Sequence, residues 1–93
     1  MNNLLCVDDF GCGINTLEKV DLMVPHIVKL DISLVSGIDH IAEKQENVKF
    51  LIRHFHSKDI LVVAEGVEQK EEFDCLVDLG IDFCQGFYLA RPA

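Results

Sequence analysis

The sequence predicts an α/β fold: four parallel strands alternating with helices in βαβαβαβ order, one half of a (β/α)8 TIM-type barrel. Three observations predict it. Four short apolar runs, Leu4–Val7, Ile27–Asp31, Ile60–Ala64 and Ile81–Cys84, punctuate the chain. The stretches between them carry apolar residues at helical spacing, and alternation of this kind gives parallel pairing with right-handed crossovers. Polar residues gather just past the strands' C-terminal ends: Asp8 and Asp9, then Lys29 and Asp31, then Glu65 and Glu68, then Gln85. In a (β/α)8 barrel that face carries the chemistry.

Leu4-Leu5-Cys6-Val7 is of strand length and runs into Asp8-Asp9-Phe10-Gly11, where Gly11 and Gly13 permit a tight turn. Ile14 to Met23 is expected as a short helix with Leu17, Val20 and Val24 toward one side, stopped by Pro25. Ile27-Val28-Lys29-Leu30-Asp31 is rich in β-branched residues and forms the second strand. Glu43 to Ser57 is the long helix, its stripe made by Val48, Leu51, Ile52 and Phe55. Ile60 to Ala64 is a continuous apolar run of the kind buried on both faces. Glu68 to Leu79 is the last helix, with Gly80 where a C-terminal glycine belongs. Ile81 to Cys84 is the fourth strand.

Residues 1–93 form one small domain with no linker or low-complexity segment. Such a chain buries only roughly 60–65% of its unfolded surface, yet 49% of its residues are hydrophobic. That mismatch predicts apolar surface meant for a partner. The formal charge of −8 argues against a nucleic-acid polymer or an anionic membrane as partner and favours divalent cations. No apolar run approaches the roughly 18 residues a membrane span needs, and the N-terminus lacks the pattern of a secretion signal. Cys6, Cys12, Cys75 and Cys84 show no C-x-x-C pairing and are expected as reduced thiols in a cytoplasmic protein.

Two adjacent carboxylates at the end of a buried strand repel unless something positive sits between them, and a divalent metal is the usual partner for hard oxygen ligands. Taken alone, Asp8-Asp9 fits a strand end with a helix N-cap more simply. Lys29, Glu65 and Gln85 at matching strand ends turn the balance toward a site. Lys29 and Asp31 as a plain surface pair would contribute little. His54 and His56, two apart on a helix, do not share a face; with His26 and His40 they are expected as solvated side chains. Glu43, Lys44, Glu46, Lys49, Glu71 and Glu72 are expected on solvated helix faces.

Asp8-Asp9-Phe10-Gly11, then Lys29-Leu30-Asp31, then Val62-Val63-Ala64-Glu65-Gly66-Val67-Glu68, then Gln85-Gly86-Phe87 resemble, in order and spacing, the second half of an EAL domain. The fold implied is the last four strands of an EAL barrel. That family hydrolyses the bacterial second messenger cyclic di-GMP to linear pGpG. The resemblance implies that Asp8 bridges two catalytic metals, Mg²⁺ or Mn²⁺, and that Asp9 and Glu65 complete the second metal's ligands. It implies that Lys29 orients the attacking water, that Gln85 supports the water or the phosphate, and that Glu68 holds the loop after the aspartates. The Glu-Ala-Leu motif and the asparagine and glutamate of the earlier strands are absent, and with them the first metal's remaining ligands. The loop also departs from the family: Cys12, Ile14, Asn15 and Thr16 stand where Thr, Tyr, Ser and Ser are common. Met1 stands just before the family's fifth strand, where a start codon or a deliberate cut would place it.

The expected function is therefore that of a truncated, metal-dependent cyclic di-GMP phosphodiesterase domain, inactive alone. The alternative is a non-catalytic module for oligomerisation, cyclic di-GMP binding or regulation. The open strand edges predict a homo-oligomer, a dimer first, or docking with a complementary N-terminal half-barrel. The location implied is the bacterial cytoplasm.

Overall fold

Four strands and four helices follow the alternation expected from the sequence. In the computed structural model, which describes residues 5–11 and 16–85, they are β1 (Cys6–Phe10), α1 (Leu17–Met23), β2 (Ile27–Leu30), α2 (Ile32–Val35), α3 (Ala42–His56), β3 (Leu61–Ala64), α4 (Lys70–Leu79) and β4 (Phe83–Cys84). The strands lie side by side in chain order, every neighbouring pair parallel. Cys6, Ile27 and Leu61 align across the sheet, as do Val7, Val28 and Val62, and then Leu30, Ala64 and Cys84.

One face of this sheet is closed by the helices. Val7, Phe10, Val28, Leu30, Val62, Ala64 and Cys84 share a core with Val20, Val35, Val48, Leu51, Ile52, Phe55 and Leu76. The α3 stripe lies where its spacing places it, and Phe55 meets the Phe10 ring edge-on at 5.5 Å. The other face carries Cys6, Asp8, Ile27, Lys29, Leu61, Val63 and Phe83, the alternate positions of the same strands. Leu61 is 42% exposed and Phe83 59% exposed.

The element boundaries differ from expectation for identifiable reasons. The α1 helix starts at Leu17 because Thr16 Oγ1 accepts the Lys19 N–H at 3.2 Å, an N-cap; residues 14 and 15 lie outside the described residues. Val24 is exposed rather than on the buried side: it adopts φ 47° ahead of Pro25, which disfavours right-handed helix at the preceding residue. The short helix α2 has no counterpart among the expected elements. Asp31 caps it, its Oδ2 accepting the Ser33 N–H at 3.0 Å.

Of the histidines expected in solvent, His26 and His56 are exposed and His54 is half-buried, and all three also bond to other parts of the chain. His54 Nε2 lies 2.9 Å from Asp21 Oδ1, linking α3 to α1. His56 Nε2 lies 2.6 Å from Asp82 Oδ2, which also accepts the Val62 N–H at 2.8 Å and so extends the short β3–β4 ladder. His26 Nδ1 accepts the Leu5 N–H at 2.9 Å. Cys6, Cys75 and Cys84 are free thiols; burial pushes that of Cys84 up to about 11.

Candidate functional site

The site is built at the C-terminal ends of β1, β2 and β3, and a bulge in β1 shapes it. Val7 pairs with Val28 and Phe10 with Leu30, so Asp8 and Asp9 together oppose the single residue Lys29. A regular strand would send residues 7 and 10 to opposite faces. The extra residue returns Phe10 to the core and leaves both aspartates exposed opposite the lysine. Asp9 takes φ 55° to make the bulge, a left-handed conformation that Asp tolerates better than most residues.

Lys29 stands between carboxylates of both neighbouring strands. Its Nζ is 3.5 Å from Asp8 Oδ1 and 3.9 Å from Glu65 Oε2. The Asp8 carboxylate, then the Cys6 sulfur beside it, hold the ammonium above its ordinary value, more than offsetting partial burial. Glu65 is displaced in the opposite sense for an acid. Burial pushes its carboxyl up, Lys29 pulls it down, and the charges of Asp8, Asp9 and Asp31 push it up again, leaving it above its ordinary value. Four carboxylates thus share one field with one ammonium.

Asp31 joins that field but serves a different local role. Its side chain caps α2, and its N–H donates to the Phe10 carbonyl at 2.9 Å. Gln85, directly after β4, is placed by its backbone: its N–H donates to the Ala64 carbonyl at 2.7 Å, and its carbonyl accepts the Val67 N–H at 3.1 Å. Glu68 is exposed, and its N–H donates to Glu72 Oε1 at 3.0 Å. Its expected hold on the loop after the aspartates concerns residues 12–15, outside the described residues. Gly66 is required where it stands. Its φ is 75°, and a Cβ there would lie 2.5 Å from Ile32 Cγ1, so the Glu65 loop packs directly on the start of α2.

The donor chemistry suits a hard cation, since every acid named here offers oxygen and their combined charge exceeds that of Lys29. Among the described residues, no group of three His, Cys, Asp or Glu converges closely enough to hold a metal ion. Asp8 and Glu65 converge on Lys29 instead. Among the described residues, no helix is long and apolar enough to cross a membrane.

Glu72 is the acid near the site that the sequence reading misplaced. Expected on a solvated face, it is 6% exposed. Burial pushes its carboxyl up, but the N–H groups of Gly37, Glu68 and Gln69 outweigh burial and hold it below its ordinary value. The capping-box spacing of Gln69 to Glu72 was the available signal.

Comparison with known proteins gives the family and the fold. The family described as EAL domain matches residues 3–92. The cyclic di-GMP phosphodiesterase PdeF of Escherichia coli is 30% identical over 95% of this chain, which spans 12% of that protein. The signaling protein YkoW of Bacillus subtilis is 31% identical over 95% of this chain, which spans 11% of that protein. Among solved structures, a manganese and cyclic di-GMP complex of Klebsiella pneumoniae BlrP1 is 39% identical and superposes with a TM-score of 0.84, covering 90% of this chain and 21% of that one. A cyclic di-GMP-bound standalone EAL protein from Vibrio cholerae is 33% identical with a TM-score of 0.89, covering 97% of this chain and 38% of that one. The chain therefore spans only a small part of the curated relatives it matches.

Proposed function

The chain belongs to the EAL domain family, and on that premise we propose that it is the second half of a metal-dependent cyclic di-GMP phosphodiesterase site, without turnover on its own. The carrying observation is Lys29 held between Asp8 and Glu65 at the ends of adjacent parallel strands. Asp8, Asp9 and Glu65 would hold the second of two divalent ions, Mg²⁺ or Mn²⁺, with Asp8 shared between them. The bound ions would polarise the phosphodiester and supply hydroxide at neutral pH.

Lys29 carries positive charge to the place where negative charge develops on the phosphate oxygens. Its ammonium, held protonated by Asp8, orients the attacking water rather than removing its proton. Gln85, held by its backbone to Ala64 and Val67, would support that water or the phosphate. The first ion's remaining ligands have no counterpart among the matched motifs, which is why the chain alone should not turn over substrate.

A phosphodiesterase assay of the purified chain with Mg²⁺ or Mn²⁺ tests this. The expected result is no linear pGpG. Turnover comparable to a complete EAL domain would overturn the proposed incompleteness. Calorimetry with cyclic di-GMP, with and without metal, tests whether ligand binding survives without turnover.

A second reading is favoured by the uncovered sheet face. Leu61, level with half-buried Ile27, and Phe83, level with Val63, are exposed at positions that face the interior in a closed barrel. They fit a complementary half-barrel or a second copy of the chain. Light scattering at micromolar concentration checks the second copy: a strict monomer would leave the complementary half as the partner.

A further inference from the structure

The loop that carries Glu65 crosses from β3 to α4, and the fate of its backbone N–H groups identifies what fixes it. Glu65 donates to the Leu30 carbonyl at 3.2 Å and Val67 to the Gln85 carbonyl at 3.1 Å. Glu68 and Gln69 donate to Glu72 Oε1 at 3.0 and 3.2 Å. The other oxygen of the same carboxylate, Oε2, accepts the Gly37 N–H at 2.8 Å. Gly37 lies in the turn after α2, the helix capped by Asp31. A capping box needs only the oxygen that reaches back to the start of its own helix. The bond to Gly37, 35 residues away, has no capping purpose. It ties the loop after β3 to the turn that follows α2.

We propose that Glu72 is a positioning residue: one buried carboxylate, accepting on both oxygens, that clamps the Glu65 loop against the α2 turn and so fixes Glu65 beside Lys29. This rests on the reading of Glu65 as a site residue, but the clamp itself is a property of backbone amides. Neutralising Glu72 frees one side of the clamp. A glutamine offers one acceptor oxygen, and its amide group would face a second donor. Either Gly37 or the Glu68–Gln69 pair must then lose its acceptor.

The test is amide hydrogen exchange by NMR on the full chain, wild type against Glu72→Gln. The expected result is exchange about ten-fold faster at Gly37, or at Glu68 and Gln69, the equivalent of one lost hydrogen bond. Protection at Val28 and Ile52 should be unchanged, and the nuclear Overhauser contact between the Lys29 and Glu65 side chains should weaken. Uniform acceleration of all amides would mean a merely structural role and overturn the proposal, as would no change at the three amides. Should the variant fail to fold, the wild type is titrated with acid. The Gly37, Glu68 and Gln69 amide protons should then move together, with one midpoint below the ordinary 4.5 of a glutamate. Separate midpoints would overturn the clamp. The carboxylates of Asp39, which opposes Glu72 from the turn, and of Glu68 are followed by their own signals in the same spectra. Adding Mg²⁺ to the same samples separates the two readings. No response at Asp8, Asp9 or Glu65 counts against the phosphodiesterase site and leaves the clamp standing. A metal response with unaltered amides in Glu72→Gln sinks the clamp alone.

Discussion

The two faces of the sheet are built from the same strands, one residue apart, and they have different fates. The helix-facing positions are packed and dry, from Val7 through Val28 and Val62 to Cys84, and backed by the α3 stripe. On the opposite side Cys6, Ile27 and Leu61 are level with one another at one end, Lys29, Val63 and Phe83 are level further along, and Asp8 and Glu65 flank Lys29. Burial of apolar surface stabilises the first face within this chain alone. The second has the composition of an interior without the same cover. The difference teaches that stability and chemistry are divided between the faces: one holds the fold, and the other depends on what meets it.

The largest effect that would break this comparison lies in the closed face. Phe55 is fully buried and packs on Phe10. Phe55→Ala should cost about 3–5 kcal/mol of unfolding free energy, read from urea denaturation. A loss under about 1 kcal/mol would mean that the helix-facing core is not what holds the chain together.

Next come two acids of opposite sign. Glu72 is held below its ordinary value, so its contribution is present above pH 4.5 and is lost as pH falls through its lowered folded value. Glu72→Gln should cost about one hydrogen bond locally at neutral pH, read as faster exchange of the Gly37, Glu68 or Gln69 amides, with the gap to wild type closing in acid. Glu65 is held above its ordinary value, so its contribution is present below pH 4.5 and is lost as pH rises through its raised folded value. Glu65→Gln should therefore stabilise the metal-free chain at neutral pH, by about 0.5–1 kcal/mol, measured by thermal melting. Destabilisation there would show that Glu65 belongs to the supporting structure rather than to a strained site.

These opposite signs explain what was legible in the sequence. The four strands, the α3 stripe and the Gly80 stop follow from local periodicity and turn chemistry, which a linear reading captures. So does the approach of Lys29 to Asp8, since adjacent parallel strands bring their ends together. The β1 bulge is not in the sequence reading, which ends the strand at Val7, while pairing carries it on to Phe10 with one extra residue opposite Lys29. Glu72 was harder. In the run Lys70-Glu71-Glu72 it resembles any solvated helix acid, and its burial depends on Gly37, which only the fold brings near. The partners of His54 and His56, Asp21 and Asp82, were hidden for the same reason: tertiary pairing leaves no local periodicity. The short α2 escaped because four residues give no helical repeat, and Asp31, its cap, reads only as a strand-end residue.

The smallest expected effect on the isolated chain sharpens the comparison most. Phe83 lies on the open face at 59% exposure, and replacing an exposed side chain usually changes stability by within about 0.5 kcal/mol. Phe83→Ser should therefore leave the urea midpoint of the chain alone nearly unmoved, while Phe55→Ala shifts it strongly. The same substitution should matter once the open face is covered. Burying a Phe side chain is worth about 1.5–3 kcal/mol, so assembly with a complementary half-barrel should weaken about ten-fold or more on losing it. The two measurements together decide what the open face is for. A large loss on the isolated chain would place Phe83 in a core already complete. No loss in either setting would make Phe83 and its neighbours on this face an ordinary exposed surface.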